Sequence, residues 1–198
     1  MRRRTFDVLV SAGGLFLAVV LIVAGVLLLW AHNFVSDQVT SQLTAQKIFF
    51  PPPGSPALKT DPEITKYVTP YAGQQLVNGQ QAEVYADHFI AVHLRTIGGG
   101  QTYSQLSQKA LLQPNNAALQ AQVNTVFKGE TLRGLLLNAY AFWTVGTIAL
   151  WASIVAFIAA FIMLVLGILG FVHVRRVSPD AELNVGPRGP KPSNAPAR

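Results

Sequence analysis

Two stretches without a charged side chain limit what this sequence can fold into. Residues 8–30, VLVSAGGLFLAVVLIVAGVLLLW, hold fifteen Leu, Ile, Val or Phe side chains. About 23 helical residues at roughly 1.5 Å each are enough to cross a hydrocarbon core about 30 Å thick. At roughly −0.3 to −0.6 kcal/mol per apolar residue, the gross insertion term is about −5 to −9 kcal/mol. Residues 134–174 are likewise uncharged. About 41 helical residues would measure roughly 60 Å, however, so only part of this run is expected in lipid. Trp151 marks an interface on one side and Arg175 and Arg176 mark the other, as Trp30 and the arginines Arg2, Arg3 and Arg4 do for the first run. The expected spans are therefore residues 8–30 and 148–173. With 51% hydrophobic and 12% charged residues, the composition is that of a membrane protein.

The basic residues give the orientation. The two flanks carry eight Lys or Arg against three acidic residues, while the segment between the runs carries seven against six. By the positive-inside rule residues 1–7 and 174–198 are expected in the cytoplasm, with residues 31–147 outside the cell membrane. The net charge of +6 is thus mostly a topology signal. The basic residues flank spans rather than line one face, so no nucleic-acid partner is expected. RRTF at residues 3–6 resembles part of an export signal, but the apolar run far exceeds the roughly 7–15 residues of a signal h-region, and a retained anchor is expected. With no cysteine, disulfides, thiolate metal sites and a Cys nucleophile are excluded within this sequence.

Beyond Trp30, Val35, Val39 and Leu43 recur every four residues, which predicts that the first span continues outward as an amphipathic helix. FFPPPGSP ends it and forms a stiff connector. Asp61 followed by Pro62 and Glu63 reads as a helix start. A helix after Gly79 is expected to stop at Gly98. Pro114 and Asn115 open another, with Leu119, Val123, Val126 and Phe127 on one face. Gly129 is expected to break it, and Thr131 to begin the long helix whose Leu132, Leu135, Leu136, Ala139 and Trp143 pack onto protein. The last 22 residues hold five prolines and few large apolar groups, and are expected to be disordered. The fold class is an all-α membrane protein with two transmembrane helices flanking a small extracytoplasmic helical domain. Small residues, Ser11, Gly14, Ala18 and Gly25 in one span and Ala152, Ala156 and Ala160 in the other, permit close helix packing.

One stretch concentrates chemistry-bearing side chains: YADHFIAVHLRTIGGG, residues 85–100. His88 and His93 are five apart, about 140° on an α-helix, and so do not share a face. Zinc sites built on one helix use i and i+4. Glu83 and Asp87 do share a face, as two carboxylates on an exposed helix. Ala82, Ala86, Phe89, His93 and Ile97 form one stripe, which makes His93 a core residue with an acceptor for its ring proton and leaves His88 at the polar border. GGGQT lacks the lysine of a phosphate loop and reads as a helix stop and hinge. No catalytic motif and no metal site follow from the spacing, and no cofactor is expected. His88, with Asp87 or Glu83, is the remaining candidate.

YADHFIAVHL, GGGQTYSQLS and FKGETLRGLLLNAYAFW, with QKIFFPP and the start MRRRTFDVLVSAGG, resemble a group of uncharacterised actinobacterial two-span membrane proteins. That resemblance covers most of the chain except the tail and implies the two-span topology. Similar proteins sometimes carry an aromatic-ring-opening dioxygenase label, which implies iron held by two His and a carboxylate. His88, His93 and Glu83 or Asp87 do not converge as that chemistry requires, so the label is rejected for this chain. The expected function is a binding or accessory subunit of an envelope or membrane complex, with the lipid bilayer and a membrane or envelope protein as partners and self-association as a homo-oligomer open. The alternatives are an extracytoplasmic sensor or enzyme using His88, and an oligomeric two-span channel.

Overall fold

The computed structural model describes residues 3–176. Its regular structure is helical, and among the described residues there is no strand beyond one isolated bridge between Phe49 and Gln75. Arg2, the side chain of Arg3 and residues 177–198, where the disordered tail is expected, lie outside the description. Residues 174–176 continue the last helix. The described residues divide into two compact units, 3–25 with 154–176, and 26–153.

Two helices are long and apolar enough to cross a membrane, α1 (Arg3–Gln46) and α6 (Ala117–Arg176). In the first unit they run antiparallel, and small residues are what let them touch. Ser11, Ala18, Ala156 and Ala160 are buried. Gly14 faces Gly167, with an added Cβ 3.9 Å from its Cα, and a Cβ at Gly25 would lie 2.9 Å from the Phe157 ring. Gly170 lies against the Ser11 side chain, whose hydroxyl donates to the Asp7 carbonyl at 2.7 Å. Close approach without a side chain between the backbones is how helices associate where lipid removes the hydrophobic driving force. Ala152, expected on this stripe, is exposed, and the neighbouring Ser153 is buried instead, its hydroxyl satisfied by the Leu150 carbonyl at 2.7 Å.

The second unit is a small helical domain built on the C-terminal part of α1 and the N-terminal part of α6. His32 Nδ1 lies 2.8 Å from the Gly146 carbonyl, and a Cβ on Gly146 would meet Val35 at 3.3 Å. This register sets Trp30 and Trp151 within about one turn of each other, both exposed. Val39 and Leu43 are buried and Val35 packs beside them, as their spacing predicts. α1 ends where Lys47 adopts a left-handed φ of 53°. The proline connector that follows is extended and paired: the Phe50 amide donates to the Gln74 carbonyl and the Leu76 amide to the Ile48 carbonyl, both at 2.9 Å.

The helices between follow their caps. α2 (Pro62–Tyr67) starts with the Asp61 carboxylate accepting from the Glu63 amide at 2.8 Å. α3 (Gly79–Val84) starts with Asn78 accepting from the Gln81 amide, while Gln81 accepts from the Val77 amide in return. A π-helical turn, Tyr85–Ile90, leads into α4 (Ala91–Ile97), which stops at Gly98 with Gly99 and Gly100 at φ 57° and 74°. α5 (Tyr103–Leu112) is opened by a capping box between Thr102 and Gln105. The core gathers Phe50, Leu58, Ile64, Val68, Leu76, Ala82, Ala86, Ile90, Val92 and Leu94 against Val39, Leu43 and Leu136.

Three expectations are corrected here. Gly129 does not break a helix, for α6 runs on from Ala117. The glycine is needed because the buried Leu94 presses on it, and an added Cβ would lie 3.1 Å from the Leu94 Cγ and closer to Cδ2. On α6, Leu136, Ala139 and Trp143 face the core, but Leu132 and Leu135 are exposed. The predicted stripe Ala82, Ala86, Phe89, His93, Ile97 holds through Phe89, which packs partly buried against the core, and fails beyond it. Ala82, Ala86, Ile90 and Leu94 are buried four residues apart, with Val92 buried beside them, and Ile97 is exposed. A spacing of four needs a helix wound more loosely than 3.6 residues per turn, and the π turn supplies it: the Ala91 amide donates to Ala86, five residues back.

Candidate functional site

The π turn carries Asp87 and His88, two adjacent residues that reach in different directions. His88 meets α2. Its Nδ1 is 2.9 Å from Glu63 Oε1, and its ring stacks on Tyr67 with centroids 4.0 Å apart and planes 13° off parallel. On the other side Nε2 lies 3.8 Å from Glu83 Oε1. Arg95, on α4, closes the group by donating to the other Glu63 oxygen. The Arg95 hydrogen bond, with that from His88 second, holds the Glu63 carboxyl below its ordinary range. Lys66 sits over the Tyr67 ring at 4.6 Å.

Asp87 turns to α6. Its Oδ1 accepts from Arg133 Nη2 at 2.8 Å and from Nε at 3.1 Å. Arg133 Nη1 also reaches Glu130 at 3.3 Å. Partial burial of the guanidinium disfavours its charge, but the hydrogen bonds it donates to Asp87 and Glu130 outweigh that and hold its pKa above the ordinary value. Deeper in, burial raises the Tyr85 hydroxyl, whose ring packs edge-on to Phe50 at 5.3 Å.

His88 and Glu83 are thus brought together, while Asp87 is not paired with His88 but committed to Arg133. Nor are Glu83 and Asp87 a pair of free carboxylates on one solvated face. His93 faces elsewhere, its Nδ1 2.7 Å from the Phe89 carbonyl, the backbone acceptor expected of it. Among the described residues no group of three His, Cys, Asp or Glu side chains could hold a metal ion. Glu63, Tyr67, Arg95 and Arg133 were not singled out by the sequence. A signal existed for Arg133: a charge on a helix face that packs onto protein needs a partner.

Chemically the cluster is a tie. Both ring nitrogens of His88 face carboxylates, so neither is turned to an open cleft. The ring and the adjacent Asp87 join α2 and α6 through one turn of backbone. Of the expected membrane anchors, Trp30 and Trp151 are each 64% exposed, and Arg4, Arg175 and Arg176 are exposed near the start of α1 and the end of α6. The chain matches no family model, no curated protein and no solved structure.

Proposed function

We propose that this chain is a membrane-anchored protein whose helical domain, residues 31–147, stands outside the cell membrane and binds another envelope or membrane protein as an accessory subunit. Both termini are cytoplasmic in this reading, because the arginines cluster beyond the outer ends of the two apolar runs and the segment between is nearly neutral. It agrees with the two-span group that the sequence resembles.

One observation carries the binding role. α5 ends on Leu111 and Leu112, which are 79% and 84% exposed. They adjoin the start of α6, where Gln120 donates to the Ala110 carbonyl at 3.2 Å. From there to Trp151 is roughly 50 Å of helix, far beyond a headgroup layer of about 5–8 Å per leaflet. In this reading lipid does not reach these leucines, and none of the described residues covers them. Phe127, Ile97 and Tyr103 on neighbouring helices are also exposed. Apolar surface so placed favours a protein ligand. The test is site-specific photo-crosslinking in native membranes. Replacing Leu111 and Leu112 by Ser is expected to abolish capture of a defined partner without lowering thermal stability. Undiminished capture, or wild-type capture of nothing beyond itself, contradicts the reading.

A second reading, an extracytoplasmic sensor, is favoured by the place of His88 between Glu63 and Glu83, where a protonated ring would meet two carboxylates. Replacing His88 and His93 by Gln tests it: unchanged partner capture and phenotype rule it out.

A further inference from the structure

In the first unit the register of the two apolar helices decides which charges share a level. Gly14 faces Gly167 and Ser11 faces Gly170 across the antiparallel pair. Continued toward the start of α1, the same register sets Arg4, Arg175 and Arg176 within about 3 Å of one another along the helix axes. All three are exposed. Arg2 and Arg3 precede them in sequence, and the one acidic residue in 1–7 or 174–176 is Asp7, which is partly buried.

Two features go beyond what orientation alone requires. Lys and Arg count alike in setting topology, yet all five basic residues at this end are arginine, while the segment between the apolar runs carries Lys47, Lys59, Lys66, Lys109 and Lys128 beside two arginines. The guanidinium differs from an ammonium in presenting a planar fork of N–H donors that matches two oxygens of one phosphate. The second feature is what lies beneath the arginines. Phe6, Leu9 and Val10 on α1 are 45%, 58% and 57% exposed, and Leu169 and Val172 on α6 are 58% and 43% exposed. A cationic cap above an open apolar flank fits an amphiphile rather than a free anion.

We propose, on the two-span reading, that this end of the helix pair is a binding site for an anionic phospholipid, with Arg4, Arg175 and Arg176 on the headgroup phosphate and the acyl chains along the apolar flank. Depth agrees. Arg4 stands roughly 6 Å beyond Val8, and Arg175 and Arg176 roughly 3–5 Å beyond His173, within a headgroup layer about 5–8 Å deep. Near an anionic membrane surface each arginine contributes about fivefold in affinity, which is about 1 kcal/mol. The site lies wholly in the first unit and takes no part in the partner surface at Leu111 and Leu112.

The test uses the purified full chain in nanodiscs of phosphatidylcholine containing a minor share of phosphatidylglycerol, with the lipids retained on the protein counted by native mass spectrometry. Wild type is expected to retain phosphatidylglycerol well above its share in the disc. Replacing Arg4, Arg175 and Arg176 together by Gln should lower that enrichment about tenfold or more, with helix content unchanged. The same three residues replaced by Lys should fall between, because charge is kept and the fork is lost. Lys59, Lys109 and Lys128, all exposed, replaced together by Gln remove the same charge elsewhere and should leave the enrichment intact. Inorganic phosphate in the buffer should not abolish it. A chain that enters the discs without enriching phosphatidylglycerol overturns the site while the spanning reading stands, whereas a chain that does not enter them overturns both. Equal enrichment in wild type and the Gln variant, full enrichment in the Lys variant, which means diffuse charge attraction only, or displacement by inorganic phosphate also overturns the site.

Discussion

At Gly79, α3 lies close against α6. A Cβ built there would lie 2.5 Å from Trp143 Cγ and nearer still to Trp143 Cβ. Those atoms are fixed by the α6 backbone and cannot swing aside as the end of a flexible side chain can, so in Gly79→Ala it is α3 that must move. Overpacking of this kind costs about 1–3 kcal/mol. Against it stands the gain of Ala over Gly in a helix, up to about 1 kcal/mol. The clash wins, with a net loss of about 1–2 kcal/mol and a midpoint roughly 3–8 °C lower for a domain of this size. Gly134→Ala is the control. Nothing lies within 4 Å of its added Cβ, so it should gain about 0.5–1 kcal/mol and melt slightly higher. Thermal unfolding in one detergent, followed by tryptophan fluorescence and circular dichroism, reads both. A Gly79→Ala midpoint equal to or above wild type would refute the packing described here.

The Asp87–Arg133 pair should show a coupling of about 0.5–1 kcal/mol in a double-mutant cycle of Asp87→Asn and Arg133→Gln, modest because both side chains are about one third exposed; strict additivity would contradict the tie. Because the folded-state pKa of Glu63 is lowered, its ionic contacts stabilise the domain above the ordinary carboxyl value of 4.5 and are lost as pH falls through the folded value. Midpoints measured below pH 4.5 should therefore fall more steeply for wild type than for Glu63→Gln, and parallel curves would contradict this. In the first unit, Ser11→Cys with Gly170→Cys should form an intrachain disulfide, since the Gly170 Cβ position lies against the Ser11 side chain. Gly13→Cys with Gly170→Cys should not, since an added Cβ at Gly13 meets nothing within 4 Å.

What the sequence made legible was local or periodic. The apolar runs, the Asp61 cap, the stop at Gly98 and the Val35, Val39, Leu43 stripe each depend on residues within a turn or two of one another. Gly129 was misread because a glycine that ends a helix and one that admits a neighbour look alike, and the neighbour, Leu94, is far away in sequence. The π turn left no mark in a 3.6-residue reading. It arises because Ala82, Ala86, Ile90 and Leu94 all reach the core together, so the stripe was lost beyond Phe89. The His88 cluster was half visible: its own helix showed His88, Glu83 and Asp87, but Glu63 and Arg133 come from elements brought in only by folding. Residues paired across 25 and 46 positions leave no spacing to recognise.

Impermeant maleimide labelling of single-cysteine variants in intact cells tests the two-span orientation most directly, on a background with no native thiol. Thr60→Cys and Leu112→Cys are predicted to react without permeabilisation, and Arg4→Cys and Arg176→Cys only after it. Labelling of the terminal positions in intact cells, with Thr60 and Leu112 protected until the membrane is opened, would contradict the account.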